Sequence, residues 1–216
     1  MCINNSLDAL AITAANVVEQ NIERRFSYKL KGVYSGKEIL SKGVMSVCAP
    51  FTIYKRDFLL EHELCFKRGI FHEDSEFTPR AYYNLNKLSF LDEICYFVRQ
   101  NPTSITRTPN PKKAFDCITV AKCLSDFSNN IEKDLRTQFD NLISLNINNS
   151  LYNTFEMSKE NNGELNSFIY GHKYLFKHLL NSSKYRYKLE GLIFYILPKK
   201  TVQVYQCIQK LNFKSS

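Results

Sequence analysis

The sequence predicts an α/β protein: a mixed sheet with flanking helices up to about residue 108, followed by a helical C-terminal subdomain. Three observations predict it. Leu7 to Val18 is a continuous run of small apolar and β-branched residues, the composition of a strand buried on both faces. Short stretches of helix and strand character then alternate as far as Arg99. From Lys112 onward apolar residues recur at helical spacing, as in Ile131, Leu135, Phe139 and Leu142. A chain of 216 residues that is 44% hydrophobic can bury a sizeable core.

After the first strand, Glu23 to Val33 is polar with interspersed aromatics, the composition of an excursion or edge hairpin. Ser35 followed three residues later by Glu38 is a capping box, which starts a short helix through Ile39 and Leu40 that Gly43 ends. Val47 to Tyr54 has strand composition, and Lys55 to Leu60 reads as a short helix leading into His62 to Phe66. From Ser75 to Leu88, Phe77, Ala81, Tyr82 and Leu85 fall at helical spacing, with Pro79 placed in the first turn. Leu91 to Arg99 is a strand, Asn101-Pro102-Thr103-Ser104 a loop, and Pro109 with Pro111 a break before the helices. Asn146 to Ser150 and Asn161-Asn162-Gly163 are expected to interrupt those helices. The domain reading is residues 1–108, a helical subdomain over 109–183, and a basic amphipathic tail over 184–216.

The net charge of +8 raises the question of a nucleic-acid partner, and its distribution argues against one. From Tyr170 to Ser216 there are nine Lys and Arg against Glu190 alone, so the first 169 residues carry 20 basic and 20 acidic groups and no net field. The tail interleaves its cations with aromatic and aliphatic residues, which suits either a membrane surface or a core-packed helical segment with a solvated basic face. The N-terminus has no basic segment followed by an apolar one, and the apolar run Gly191 to Leu197 is too short to span a bilayer. Seven scattered cysteines without a C-x-x-C pair point to a reducing, cytoplasmic setting and away from structural zinc; most are expected to be buried as small hydrophobes.

The chemistry-bearing segment is Phe71-His72-Glu73-Asp74, followed by Ser75 and Glu76. Three carboxylates within four residues beside a histidine can tune one another and engage a hydroxyl. The same cluster also fits an ordinary acidic helix start that complements the dipole. It is not the H-E-x-x-H pattern of zinc hydrolases.

A series of landmarks surrounds the cluster: Ser35-Gly36-Lys37-Glu38-Ile39-Leu40, Ile53-Tyr54-Lys55-Arg56-Asp57-Phe58-Leu59, Leu64-Cys65-Phe66, Gly69 to Asp74 with Phe77, Tyr96-Phe97-Val98-Arg99, and Ser104-Ile105. In that order, over roughly residues 7 to 127, the chain resembles the family 2 glycosyltransferases of the GT-A fold, of the bacterial surface-polysaccharide type. The resemblance implies a partial GT-A-like sheet and an inverting sugar transfer from a nucleotide-sugar donor to a glycan or lipid-linked acceptor. It implies Asp74 as general base, Glu73 as orienting carboxylate, His72 lining the pocket, and Arg99 and Ser104 closing on donor diphosphate or acceptor. A solvated arginine and a turn serine account for the last two equally well.

The family normally begins with a nucleotide-binding half ending in an Asp-x-Asp motif that holds a divalent cation, Mg or Mn, against the diphosphate. No aspartate here is followed two residues later by another. Cys2 to Ala9 looks like the end of the helix after that motif and the start of the next strand, so the donor half would precede Met1 and the chain alone is expected to be inactive. The alternative is a non-catalytic interaction or membrane-docking module derived from such an enzyme.

Overall fold

The computed structural model describes residues 6–18, 21–99, 101, 104 and 108–212. Cys2 to Asn5, Pro102, Thr103, Ile105 and Lys214 lie outside the described residues. Two units divide the chain: residues 1–67 with 77–108, and residues 68–76 with 109–216.

In the first unit the apolar opening run becomes β1, Ala9–Val18, at the centre of the sheet. Ala11, Ala14 and Ala15 are fully buried, and their small side chains suit a strand covered on both faces. β1 pairs in parallel with β5 (Leu88–Arg99) and antiparallel with β2 (Asn21–Arg24) and β4 (Thr52–Tyr54). β3 (Val33–Tyr34) runs antiparallel to β5 on its other side, so the sheet is mixed, in the order β2-β1-β5-β3. The expected excursion is therefore two short strands on opposite sides of the β1–β5 pair.

The β1–β5 register slips twice: Ile12 faces Leu91, Thr13 faces Ile94 and Ala14 faces Tyr96. The bulge leaves Asp92 outside the ladder, where its Oδ1 accepts from Arg24 Nη1 at 2.8 Å, the Tyr28 N–H at 3.0 Å and Thr13 Oγ1 at 3.2 Å. Burial works to raise the Asp92 pKa, but these donors and the Arg24 charge outweigh it and hold the carboxyl below its ordinary value.

α1, Gly36–Lys42, has the expected capping box: the Glu38 N–H donates to Ser35 Oγ at 3.2 Å, and the Ser35 N–H to Glu38 Oε2 at 2.7 Å. Gly43 ends the helix in the left-handed region at φ 65°. Gly36 is a packing requirement, since a Cβ there would sit 1.8 Å from the Tyr82 carbonyl oxygen. The strand expected over Val47 to Tyr54 shrinks to β4 because Pro50 lies in a 3-10 turn, Ala49–Phe51, and has no N–H for a ladder. α2 spans Arg56–Glu61.

α3, Glu73–Asn84, starts two residues earlier than its apolar spacing indicated, which puts Pro79 inside the helix rather than in its first turn. The Ser75 carbonyl thereby loses its i+4 donor. Burial of Phe77, Ala81 and Tyr82 holds the helix nonetheless, with Phe77 against Phe66 at 4.4 Å between ring centres and the Tyr82 hydroxyl 3.2 Å from Thr52 Oγ1.

The second unit is helical: α4 (Pro111–Ser128), α5 (Lys133–Asn153), α6 (Lys159–Gly171), α7 (Phe176–Asn181), α8 (Tyr185–Ile196) and α9 (Thr201–Asn212). Its core holds Leu124, Phe139, Ile143, Ile147, Leu151, Leu165, Phe176 and Phe194. The polar runs expected to break these helices do not. α5 passes through Asn146 to Ser150, and α6 contains Asn161 to Gly163. Their amides have found partners that leave the helix intact: Asn148 Nδ2 donates to Glu190 Oε2 at 2.8 Å, Asn146 Nδ2 to the Leu142 carbonyl at 2.9 Å, and Asn162 Nδ2 to the Thr154 carbonyl at 3.1 Å. At Gly191 a Cβ would come 2.7 Å from Leu179 Cβ, so the glycine lets α8 lie close against α7.

Cys48, Cys65, Cys95, Cys117, Cys123 and Cys207 carry thiols. Only Cys117 of these is buried, which corrects the expectation that most would be; Cys65, Cys95 and Cys207 are exposed. Among the described residues no helix is long and apolar enough to cross a membrane.

Candidate active site

The segment ahead of α3 is shaped by two left-handed residues, Gly69 at φ +79° and His72 at φ +61°. Glycine takes this conformation freely; a histidine there stores about 1–3 kcal/mol of backbone strain, of the kind that collects at functional sites. The strain turns the chain into the helix: the His72 carbonyl accepts from the Ser75 N–H at 3.0 Å and the Glu76 N–H at 3.4 Å. Glu73, Asp74 and Glu76 then fill the first turn, where carboxylates complement the dipole.

What holds this segment lies 45 positions downstream, on α4. The Phe71 N–H donates to Asp116 Oδ2 at 2.7 Å, and Lys112 Nζ reaches both the same oxygen and, at 2.7 Å, the Gly69 carbonyl. Lys112 and Lys113 also stand over the Phe71 ring, at 5.5 and 5.9 Å. Asp116 is buried and anchors the loop through a charge-assisted bond. Lys112 and Asp116 are four apart, a visible helix pair in the sequence, but nothing there announces Phe71 as a third member.

Asp74 is half-buried, Glu73 is exposed and Glu76 is buried. Burial raises the Asp74 pKa, and the neighbouring Glu73 charge adds to it; the Ser75 N–H, 2.8 Å from Asp74 Oδ1, and His72 offset part of the rise. A carboxylate made more basic in this way is better matched to removing a proton from a hydroxyl. His72 Nε2 is buried and has no hydrogen-bond partner in the described residues, an unmet polar atom at the start of the turn.

One turn thus brings His72, Glu73 and Asp74 together. Arg99 and Ser104 belong to the other unit: Arg99 is exposed at the end of β5, and Ser104 is half-buried, its carbonyl accepting from the Thr108 N–H at 3.1 Å. In that unit a cleft of about 390 Å³ runs between Ser6–Leu10 and Ile53–Lys55, and none of the five candidate residues lines it.

A second polar centre went unread in the sequence. Ser125 on α4, Asp140 on α5 and His178 on α7 form a chain: Asp140 Oδ1 bonds His178 Nδ1, and His178 Nε2 lies 2.8 Å from Ser125 Oγ. With Nδ1–H donating to the carboxylate, Nε2 accepts from the serine hydroxyl. The order is that of an acyl-transfer triad, but Ser125 is 2% exposed in the last turn of α4, where no scissile carbonyl can reach its Oγ. The three groups satisfy one another and pin three helices. A pocket of about 180 Å³ beside them is lined by Arg136, Asp140, Lys177 and His178 among others.

Among the described residues no three His, Cys, Asp or Glu side chains converge to hold a metal ion.

The mixed sheet with its flanking and following helices is a GT-A-like glycosyltransferase fold. Solved structures that share it include Staphylococcus aureus TarS 1–349 in complex with UDP-GlcNAc, at a TM-score of 0.72 and 14% identity, and the same protein in complex with UDP, at 0.68 and 15%. The match covers 100% of this chain in both, but 62% and 61% of TarS 1–349, so the chain spans about three fifths of that length. At such identities the likeness is one of fold. No protein-family model and no curated protein sequence matches the chain.

Proposed function

We propose that this chain is the acceptor-side portion of an inverting glycosyltransferase, with Asp74 as its base. The acceptor hydroxyl gives its proton to the Asp74 carboxylate while its oxygen attacks the anomeric carbon of a nucleotide sugar. The bond from that carbon to the diphosphate oxygen breaks, the nucleoside diphosphate leaves with the electron pair, and attack opposite the leaving group inverts the configuration. The reading rests on Asp74: a half-buried carboxylate of raised pKa, on a fold shared with structures that hold UDP-GlcNAc and UDP.

Glu73 orients the acceptor, and His72 lines the pocket beside it. Arg99 is assigned to the donor diphosphate, for which a guanidinium suits the developing charge; Ser104 closes beside it. The acceptor is a glycan or lipid-linked chain of a cell-surface polysaccharide, and the reaction takes place on the cytoplasmic side. Donor binding is assigned to a nucleotide-binding half with the Asp-x-Asp motif, which these 216 residues do not contain.

The test joins the chain to such a half and compares Asp74 with Asp74→Asn. Transfer should fall about 10²- to 10⁴-fold while the Kd for the nucleotide sugar stays within a factor of about two. Equal turnover would remove Asp74 from the base role.

A further inference from the structure

α8 is apolar on both sides. Tyr187, Glu190, Gly191 and Phe194 are buried and form its inward face. At 100° per residue, Tyr185, Leu189, Leu192 and Ile196 fall within about 60° of one another on the opposite face. They are 80%, 48%, 52% and 67% exposed. Tyr195 and Leu197 close by are exposed as well. A helix that is apolar on two opposite sides exposes one of them unless something covers it.

The charges nearby say what. Between Lys184 and Lys200 the one carboxylate is Glu190, which is 2% exposed and already held by Arg186 Nε at 3.0 Å and Asn148 Nδ2 at 2.8 Å. That leaves Lys184, Lys188, Lys199 and Lys200, all exposed. Lys188 flanks the stripe about 60° away on the helix, and the other three stand at its two ends, about 18 Å apart along the axis. An apolar stripe about 18 Å long, framed by cations and with no exposed carboxylate between residues 184 and 200, matches an acyl boundary beneath anionic headgroups.

We propose that the outer face of α8 is a docking surface for an anionic lipid bilayer. Leu189, Leu192 and Ile196 enter the acyl boundary with the helix lying in the interfacial plane, and the four lysines meet the headgroups. The seating is independent of the chemistry assigned to Asp74.

The test is flotation of the 216-residue chain with vesicles of phosphatidylcholine alone and of an equimolar mixture with phosphatidylglycerol. Binding is expected to the mixture only, and to be lost as added salt shortens the Debye length from about 10 Å to about 3 Å. Each Lys→Gln at 184, 188, 199 or 200 should lower partitioning roughly fivefold. Leu192→Asp should lower it more than about tenfold with an unchanged thermal melt, because the side chain is half exposed in the folded protein. Asp74→Asn should leave partitioning unchanged, which separates failure here from failure of the proposed transfer reaction. Equal binding to both vesicle types, no binding to either, or a dimer in light scattering that Leu192→Asp dissolves would each overturn the proposal.

Discussion

Replacing Asp116 by alanine removes the acceptor that holds the segment from Phe71 to Asp74 to α4, and the structure sets the size of the effect. Two donors lose their partner, the Phe71 N–H at 2.7 Å and the Lys112 ammonium. A hydrogen bond to a charged group is worth about 1.5–3 kcal/mol. The Lys112 end is half exposed and recovers most of its share from water, so the local loss is about 2–3 kcal/mol, carried by the Phe71 bond. Amide hydrogen exchange reads it directly: protection at Phe71 should fall about 30- to 150-fold, while an amide in the centre of β1 changes only as far as global stability does. Lys112→Met should give a smaller loss, since Asp116 still accepts from Phe71. Unaltered exchange at Phe71 in Asp116→Ala would show that the segment is held by something other than this carboxylate.

The remaining predictions concern packing and titration. Gly36→Ala drives a Cβ into the Tyr82 carbonyl and should cost about 2–3 kcal/mol, read as a drop in thermal midpoint of about 5–10 °C. His178→Ala leaves the buried Asp140 charge without its partner and should cost about 3–5 kcal/mol in urea titration. Ser125→Ala should cost only about 1–2 kcal/mol, and a fluorophosphonate should not label Ser125; labelling would mean that its Oγ is reachable. Asp74 and Asp92 should shift stability with opposite sign. The raised Asp74 pKa gives a contribution present below the ordinary carboxylate pKa and lost as pH rises through the raised value, so Asp74→Asn should stabilise at neutral pH and do nothing in acid. The lowered Asp92 pKa gives a contribution present above the ordinary value and lost as pH falls through the depressed one. Asp92→Asn should therefore destabilise at neutral pH, with the difference vanishing in acid.

Sequence was legible where the cause is local. The Ser35–Glu38 box and the Gly43 stop depend on residues within one turn, and the Leu7 to Val18 run carries its own burial signal. Asn146 to Ser150 misleads because its helix survives through Glu190, 42 positions beyond Asn148. The same distance hides the clamp on Phe71 and the chain from Ser125 to His178, which are 53 positions apart. In the candidate site, the acidic turn could be read directly, but neither the backward φ of His72 nor the burial that raises Asp74 has a sequence signature. In the tail the basic and apolar composition was plain; which apolar residues face outward depends on helix phase and on α7, against which Gly191 packs.

The position of the Phe71 clamp has a consequence in time. A ribosome adding about 5–20 residues per second releases the segment carrying His72, Glu73 and Asp74 several seconds before Asp116, 45 positions later than Phe71, has emerged. In that interval the left-handed histidine has nothing to repay its strain, and the acidic turn samples other conformations. The nascent protein therefore acquires the geometry of this turn from the later half of its own chain, and any product cut short before α4 would keep the acidic residues while losing the clamp that shapes them.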